Sequence, residues 1–316
     1  MNTILVATDF SADSHWGTDY ALELARQLHA QLVVLHAYEP PATPTAAPNG
    51  VVLQGGVQYE EAVKKLCQLQ SQMQNATNFP VDVSVVARPG SPATCLADEA
   101  INLKADLLVM GRSVARLAGD APQKDRQLGR LATDIIPRTR VPMLLVPPGV
   151  AYHTPHTIGL TFDLANSMDV VALSNAEQFA QRLDVMLDII GVADEPDKQL
   201  PKAANGVCTL LDNQSHKSHT FSLLPGNHLA TALKTYSAQH KADLIMLLPK
   251  PCSRLRTFLL ESDTQEIARL PEVPALGAVE VRAERLLMAP YRKDTGAKRK
   301  IIRPNQLNTR PHITTK

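Results

Sequence analysis

The residues of this 316-residue chain most suited to chemistry are those that could hold an anion. Gly111, Gly119 and Gly129 punctuate a loop that carries Arg112, Arg116, Lys124, Arg126 and Arg130 against only Asp120 and Asp125, a net of +3. An apolar run, Leu107–Met110, precedes the loop, and Leu131, Ile135 and Ile136 follow it at helical spacing. A strand that feeds a glycine-containing loop and then a helix is how α/β folds bind phosphates. Free N–H groups and the helix dipole favour negative charge there, and arginine adds charge-assisted hydrogen bonds. Arg130 has two readings: it donates to such an anion, or it fills the anion's place and closes it. Arginines on a loop are also commonly just solvated. Asp9, two residues past the first apolar stretch Thr3–Ala7, is the matching carboxylate. From the residues alone it reads as a helix cap or turn acid.

Other chemistries find no support in the residue pattern. There is no Gly-x-Ser-x-Gly elbow, no Walker lysine motif and no Gly-x-Gly-x-x-Gly. His15, His29 and His36 lack metal-ligand spacing, and His216 and His219 fall in a polar stretch, so no metal is expected. Cys67, Cys95, Cys208 and Cys252 are scattered, which argues against a disulfide framework or zinc site and fits a reducing cytoplasm. No apolar run approaches the ~20 residues of a membrane span. The N-terminus reads as a first strand rather than a signal peptide. The sequence offers no nucleophile paired with a base, and the chain is therefore expected not to be an enzyme.

The elements that must position these residues alternate regularly. Thr3–Ala7 and Leu32–Ala37 read as strands, separated by a helix with Trp16, Tyr20, Leu24 and Leu28 on one face and a cap among Ser11, Asp13 and Ser14. After the Pro- and Ala-rich stretch Glu39–Gly56 comes a helix marked by Tyr59, Val63, Leu66 and Met73, then an edge-type strand over Val81–Ala87. Pro92 starts a third helix. With Leu107–Met110 and Val141–Val146, the order is β-α-β-α-β-α-β-α-β, a doubly wound parallel five-stranded sheet. Residues 148–156 form a linker, after which the pattern returns in degraded form over 157–281. Lys104-Ala105-Asp106-Leu107-Leu108 is echoed by Lys241-Ala242-Asp243-Leu244-Ile245, Pro89-Gly90 by Pro225-Gly226, and Thr8-Asp9-Phe10 by Thr161-Phe162-Asp163. Leu248 and Glu261 replace Gly111 and Gly129 in this copy, so it is expected to bind no nucleotide. From Arg282 onward ten basic residues face only Glu284 and Asp294, a net of +8, which leaves −7 for the rest of a chain whose total is +1. Residues 282–316 are read as a disordered basic tail. Contact with nucleic acid or an anionic surface is its alternative reading.

Residues 105–146 resemble the C-terminal part of a universal stress protein domain. That family ends its fourth strand in glycine, continues Gly-x2-Gly-x9-Gly-(Ser/Thr), and closes on a Val-Pro-Val-Leu-Val-like strand. Gly119 and Gly129 keep the x9 spacing, Gly111 follows the strand, and Val141-Pro142-Met143-Leu144-Leu145-Val146 matches the close. Two features depart: seven residues separate Gly111 from Gly119, and Arg130 stands where the family has a hydroxyl. The resemblance implies a flavodoxin-like fold in strand order 3-2-1-4-5, here duplicated in tandem, firm over 1–147 and weaker over 156–281. It implies an adenine nucleotide such as ATP in the first half only. Asp9 and the backbone near Ala37 would hold the nucleoside, beside Ala7 and Met110 at the strand ends, and Gly111, Gly119, Gly129, Arg130 and Leu131 would lie around the phosphates. It further implies pairing of the halves through their last strands, Val141–Val146 and Val273–Val279, as an internal pseudo-dimer, with a homodimer as a further arrangement. The expected function is a cytoplasmic stress-response protein that acts by binding. The alternatives are a nucleotide-dependent switch or weak ATPase, and a scaffold without a nucleotide site.

Overall fold

The computed structural model describes residues 2–39, 56–76, 81–112, 130–135, 138–139, 141–162, 170–193, 219–225, 229–240, 242–247 and 275–277. In the first half these form β1 (Thr3–Ala7), α1 (Ala12–Leu28), β2 (Gln31–Tyr38), α2 (Gly56–Ala76), β3 (Val83–Pro89), α3 (Pro92–Asn102), β4 (Leu107–Gly111), α4 (Arg130–Ile135) and β5 (Met143–Val146). The second half supplies β6 (Thr157–Phe162), α5 (Val170–Leu183), β7 (Met186–Ala193), β8 (His219–Pro225), α6 (Leu229–His240), β9 (Leu244–Leu247) and β10 (Ala275–Gly277). The strands of the first half are apolar on both sides because helices cover both. β1 and β4 are buried through all but one residue each. Ser11 caps α1, its hydroxyl accepting from Ser14 N, and His29 closes the helix in the left-handed region. Tyr20 and Leu24 of the α1 face are buried, whereas Trp16, expected beside them, is 36% exposed.

All ten strands join one sheet in the order β3-β2-β1-β4-β5-β10-β9-β6-β7-β8. Each half is parallel throughout and carries the order 3-2-1-4-5, so the fold is a doubly wound flavodoxin-like sheet, duplicated. The halves meet where β10 pairs antiparallel with β5, Leu276 opposite Leu144. The repeated Lys-Ala-Asp has one structural purpose in both copies. Asp106 Oδ2 accepts from the backbone N–H groups of Asn2 and Thr3 at 2.6 and 3.1 Å. Asp243 Oδ2 accepts from those of His156 and Thr157 at 2.7 and 3.0 Å. In each half this carboxylate ties the start of the fourth strand to the start of the first, satisfying donors that the ladder leaves open.

On the α1/α2 face an apolar core runs without a break from Ile4, Val6 and Leu24 through Leu144 and Val146 to Ile158, Leu160, Phe179 and Leu187. The α3/α4 face has its own core around Leu5, Leu35, Leu96, Leu108 and Ile135. The segment expected to be a bare linker contributes to this packing. Tyr152 stacks edge-on against Tyr20 at 4.9 Å, and its hydroxyl donates to Gln27 Oε1. The second half departs from the first in its interior. Val33 occupies the third position of β2; Asp188 occupies the third position of β7 and is buried. Its carboxylate accepts from Thr220 Oγ1 at 2.8 Å, Ser222 Oγ at 2.9 Å and Tyr236 Oη at 2.5 Å. Burial, with the Asp188 hydrogen bond behind it, pushes the Tyr236 phenol well above its ordinary range.

Candidate nucleotide site

In a 3-2-1-4-5 sheet the direction of winding reverses between β1 and β4, and the crevice beyond their C-terminal ends is where such folds bind ligands. Asp9 lies there, on the turn from β1 into α1. Thr8 N donates to Leu35 O at 2.9 Å, and Phe10 N to Thr8 Oγ1 at 3.1 Å. Phe10 takes a φ of 62°, a left-handed conformation that a bulky side chain holds only when its surroundings impose it. The Asp9 side chain remains exposed while Ser11 donates to its Oδ1 twice, from N at 2.9 Å and from Oγ at 2.5 Å. Partial burial opposes ionisation of Asp9, but the hydrogen bonds from Ser11 and Ser14 outweigh it and hold the carboxyl below its ordinary value. The turn therefore presents a fixed, ionised acceptor.

Four of the expected site residues share the α3/α4 face of the sheet. Ala7, Met110, Ala37 and Leu131 belong to the α3/α4-face core, the first three at the C-terminal ends of β1, β4 and β2. Gly111 has a reason of its own. A Cβ on Gly111 would stand 2.2 Å from Asp13 O, and one on Gly17 would stand 2.3 Å from Gly111 N. The first turns of α1 therefore lie backbone against backbone on the end of β4, closing the crevice on that face. Arg112, one of the loop's basic residues, is buried, and its backbone N–H donates to Val146 O at 2.7 Å, extending the β4–β5 ladder. Its burial follows from lying one residue past a strand that is covered on both faces.

Gly119 and Gly129 lie outside the described residues. Arg130 opens α4, as its position predicts, but its side chain lies outside them too, and α4 spans six residues. The described part of the expected site is thus the Asp9 turn and the apolar strand ends Ala7, Ala37 and Met110. Among the described residues no group of three His, Cys, Asp or Glu is placed to hold a metal ion. Sequence reasoning passed over Gly17, Phe10 and His36. In sequence His36 is a histidine without metal-ligand spacing, yet its Nδ1 lies 2.8 Å from Thr8 O and its ring 4.5 Å from that of Phe10.

The register also corrects the alignment of the halves. Thr3 pairs with Gln31, and Thr157 pairs with Met186, so Thr161 answers Ala7 rather than Thr8. Carried past the strand, the same register sets Asp163 opposite Asp9 in sequence. Asp163, Leu248, Glu261 and Ser262 lie outside the described residues. Gly191 holds the position that His36 holds in β2.

Fold and crevice together define a duplicated, doubly wound α/β protein. Residues 1–147 match the model of the universal stress protein family. A universal stress protein from Archaeoglobus fulgidus DSM 4304 is 16% identical, covering 88% of this chain and 98% of that chain with a TM-score of 0.66. A functionally unknown protein from Pseudomonas aeruginosa PAO1 is 13% identical, covering 88% of this chain and 92% of that one with a TM-score of 0.55. At these identities the two likenesses establish the shared fold across both halves. A universal stress protein solved in complex with cAMP is 24% identical over 47% of this chain and 98% of its own, with a TM-score of 0.34. No curated protein matches the chain in sequence. No helix among the described residues is long and apolar enough to cross a membrane.

Proposed function

We propose that the chain is a cytoplasmic stress-response protein that acts by binding an adenine nucleotide in its first half, without catalysis of its own. The observation that carries this reading is the Asp9 turn: an ionised carboxylate held by Ser11 at the β1/β4 crevice, beside the apolar ends Ala7, Met110 and Ala37. A carboxylate that accepts only is suited to ribose hydroxyls, which donate, and the apolar floor to a base. The phosphates would fall toward Gly119, Gly129 and Arg130. The second half is read as a degenerate copy that serves as a partner for the first. The β5–β10 pairing and the core shared across the halves support that internal pseudo-dimer. A thermal-shift screen with ATP, ADP, AMP and cyclic nucleotides tests the proposal. Stabilisation by at least one of them is expected, and the absence of any shift at millimolar nucleotide would overturn it.

A further inference from the structure

Asp9 can serve as a ligand only if its turn keeps its shape, and that shape is strained at Phe10, whose φ is 62°. The hydroxyl contacts of Thr8, Ser11 and Ser14 are all internal to the turn and the helix it begins. Among the described residues, two hydrogen bonds tie the turn to the sheet beneath it. One is the ladder bond from Thr8 N to Leu35 O at 2.9 Å. The other comes from a side chain: His36 Nδ1 lies 2.8 Å from Thr8 O. The partner is a carbonyl, so Nδ1 must carry the proton, which sets the tautomer of the neutral ring. The Phe10 ring lies 4.5 Å from the same imidazole at an angle of 44°, and Lys65 Nζ stands 5.8 Å from the Phe10 centroid on the other element of that face, α2. The strained residue is thus held between β2 and α2. The second half, read as having no site, has Gly191 in place of His36 and no side chain to make this bond.

We propose that His36 is a positioning residue for the nucleotide site: its Nδ1–H, donated to the Thr8 carbonyl, holds the turn in the form that presents the Asp9 carboxylate to the ligand. This rests on the nucleotide-binding reading above. His36 itself need not touch the ligand. Two substitutions separate its donor from its ring. His36→Phe keeps an aromatic ring against Phe10 and removes the N–H. His36→Asn places an amide N–H near the position of Nδ1 and gives up the ring.

The test follows the Asp9 carboxyl by carbon-detected NMR titration of the full chain, its signal assigned by its loss in Asp9→Asn. In the wild type the carboxyl titrates below its ordinary value, as the Ser11 contacts require. In His36→Phe it should return toward the ordinary value as the turn loosens. In His36→Asn it should stay near the wild-type value. Affinity for ATP should fall about five- to tenfold in His36→Phe and recover in His36→Asn, the loss expected for one hydrogen bond. An unchanged Asp9 titration in His36→Phe overturns the proposal, and so does a His36→Asn variant that loses as much as His36→Phe. If wild-type protein binds no nucleotide, the binding reading fails, while the Asp9 titration still decides the role of His36.

Discussion

Replacing Gly17 by alanine tests the close approach on which the crevice depends. Gly17 lies inside α1, where alanine is intrinsically the better helix former by about 1 kcal/mol. On propensity alone the change should stabilise. The structure predicts the opposite sign. The added Cβ would meet Gly111 N at 2.3 Å and Gly111 Cα and Met110 C at 2.9 Å, all backbone atoms of β4 that cannot rotate away. Relief requires α1 to rise off the sheet, which strains a packed core by roughly 2–3 kcal/mol. The net is a loss of about 1–2 kcal/mol, or roughly 3–6 °C in the melting temperature of a unit this size. Because Asp13 and Ser14 of α1 ride on Gly111, the shift also moves the turn that carries Asp9. Urea denaturation followed by circular dichroism gives the stability, and fluorescence of Trp16, the only tryptophan, reports on α1 directly. A Gly17→Ala protein as stable as the wild type, or more so, would refute the backbone contact and the closed face of the crevice with it.

Tyr236→Phe should lower stability by roughly 1.5–3 kcal/mol in chemical denaturation, because it strips a hydrogen bond from the buried Asp188 carboxylate. Alkaline titration should find Tyr152 ionising late, since burial pushes its phenol from 10.0 up to about 12, with Arg26 acting against the shift and Glu23 with it. A folded value above the unfolded one means that the linked stability is complete below about pH 10 and is lost as pH rises toward about 12. Ultraviolet difference spectra of wild type and Tyr152→Phe would show it. Asp106→Ala and Asp243→Ala should each cost roughly 1–3 kcal/mol, since each frees two backbone N–H groups at the start of a first strand, and hydrogen exchange should rise at Thr3 in one variant and at Thr157 in the other.

How far the molecule could be read from its sequence depends on the range of the interactions concerned. The strands around Ile4, Val33 and Val109 are legible because burial on both faces demands unbroken apolar runs. The start of α1 is legible because Ser11 caps it through a contact three residues away. The Lys-Ala-Asp echo announces the duplication because the same carboxylate does the same work in both halves. What escapes is set by contacts far apart in the chain. Gly17 looks like a weak point in a helix until Gly111 is seen against it. Arg112 looks solvated until its strand is found between two covered faces. Asp188 stands alone in an apolar run, with no partner near it in sequence. Its partners Thr220, Ser222 and Tyr236 lie 32 to 48 residues further on. The site was half legible. Ala7, Ala37, Met110 and Leu131, which follow from the resemblance, share one face of the sheet, while His36 gives only a histidine in a strand, with nothing nearby in sequence to name its acceptor.

The central claim is that Asp9 is the anchor of a nucleotide site in the first half. Calorimetric titration of the full chain with ATP, ADP, AMP and cAMP, repeated on Asp9→Ala, tests it most directly. The account predicts one site per chain for at least one of these nucleotides. In Asp9→Ala affinity should fall ten- to a hundredfold, the range expected for a charge-assisted hydrogen bond worth roughly 1.5–3 kcal/mol. A wild-type protein that gives no binding heat with any of the four, or an Asp9→Ala protein that binds as tightly as the wild type, would contradict it.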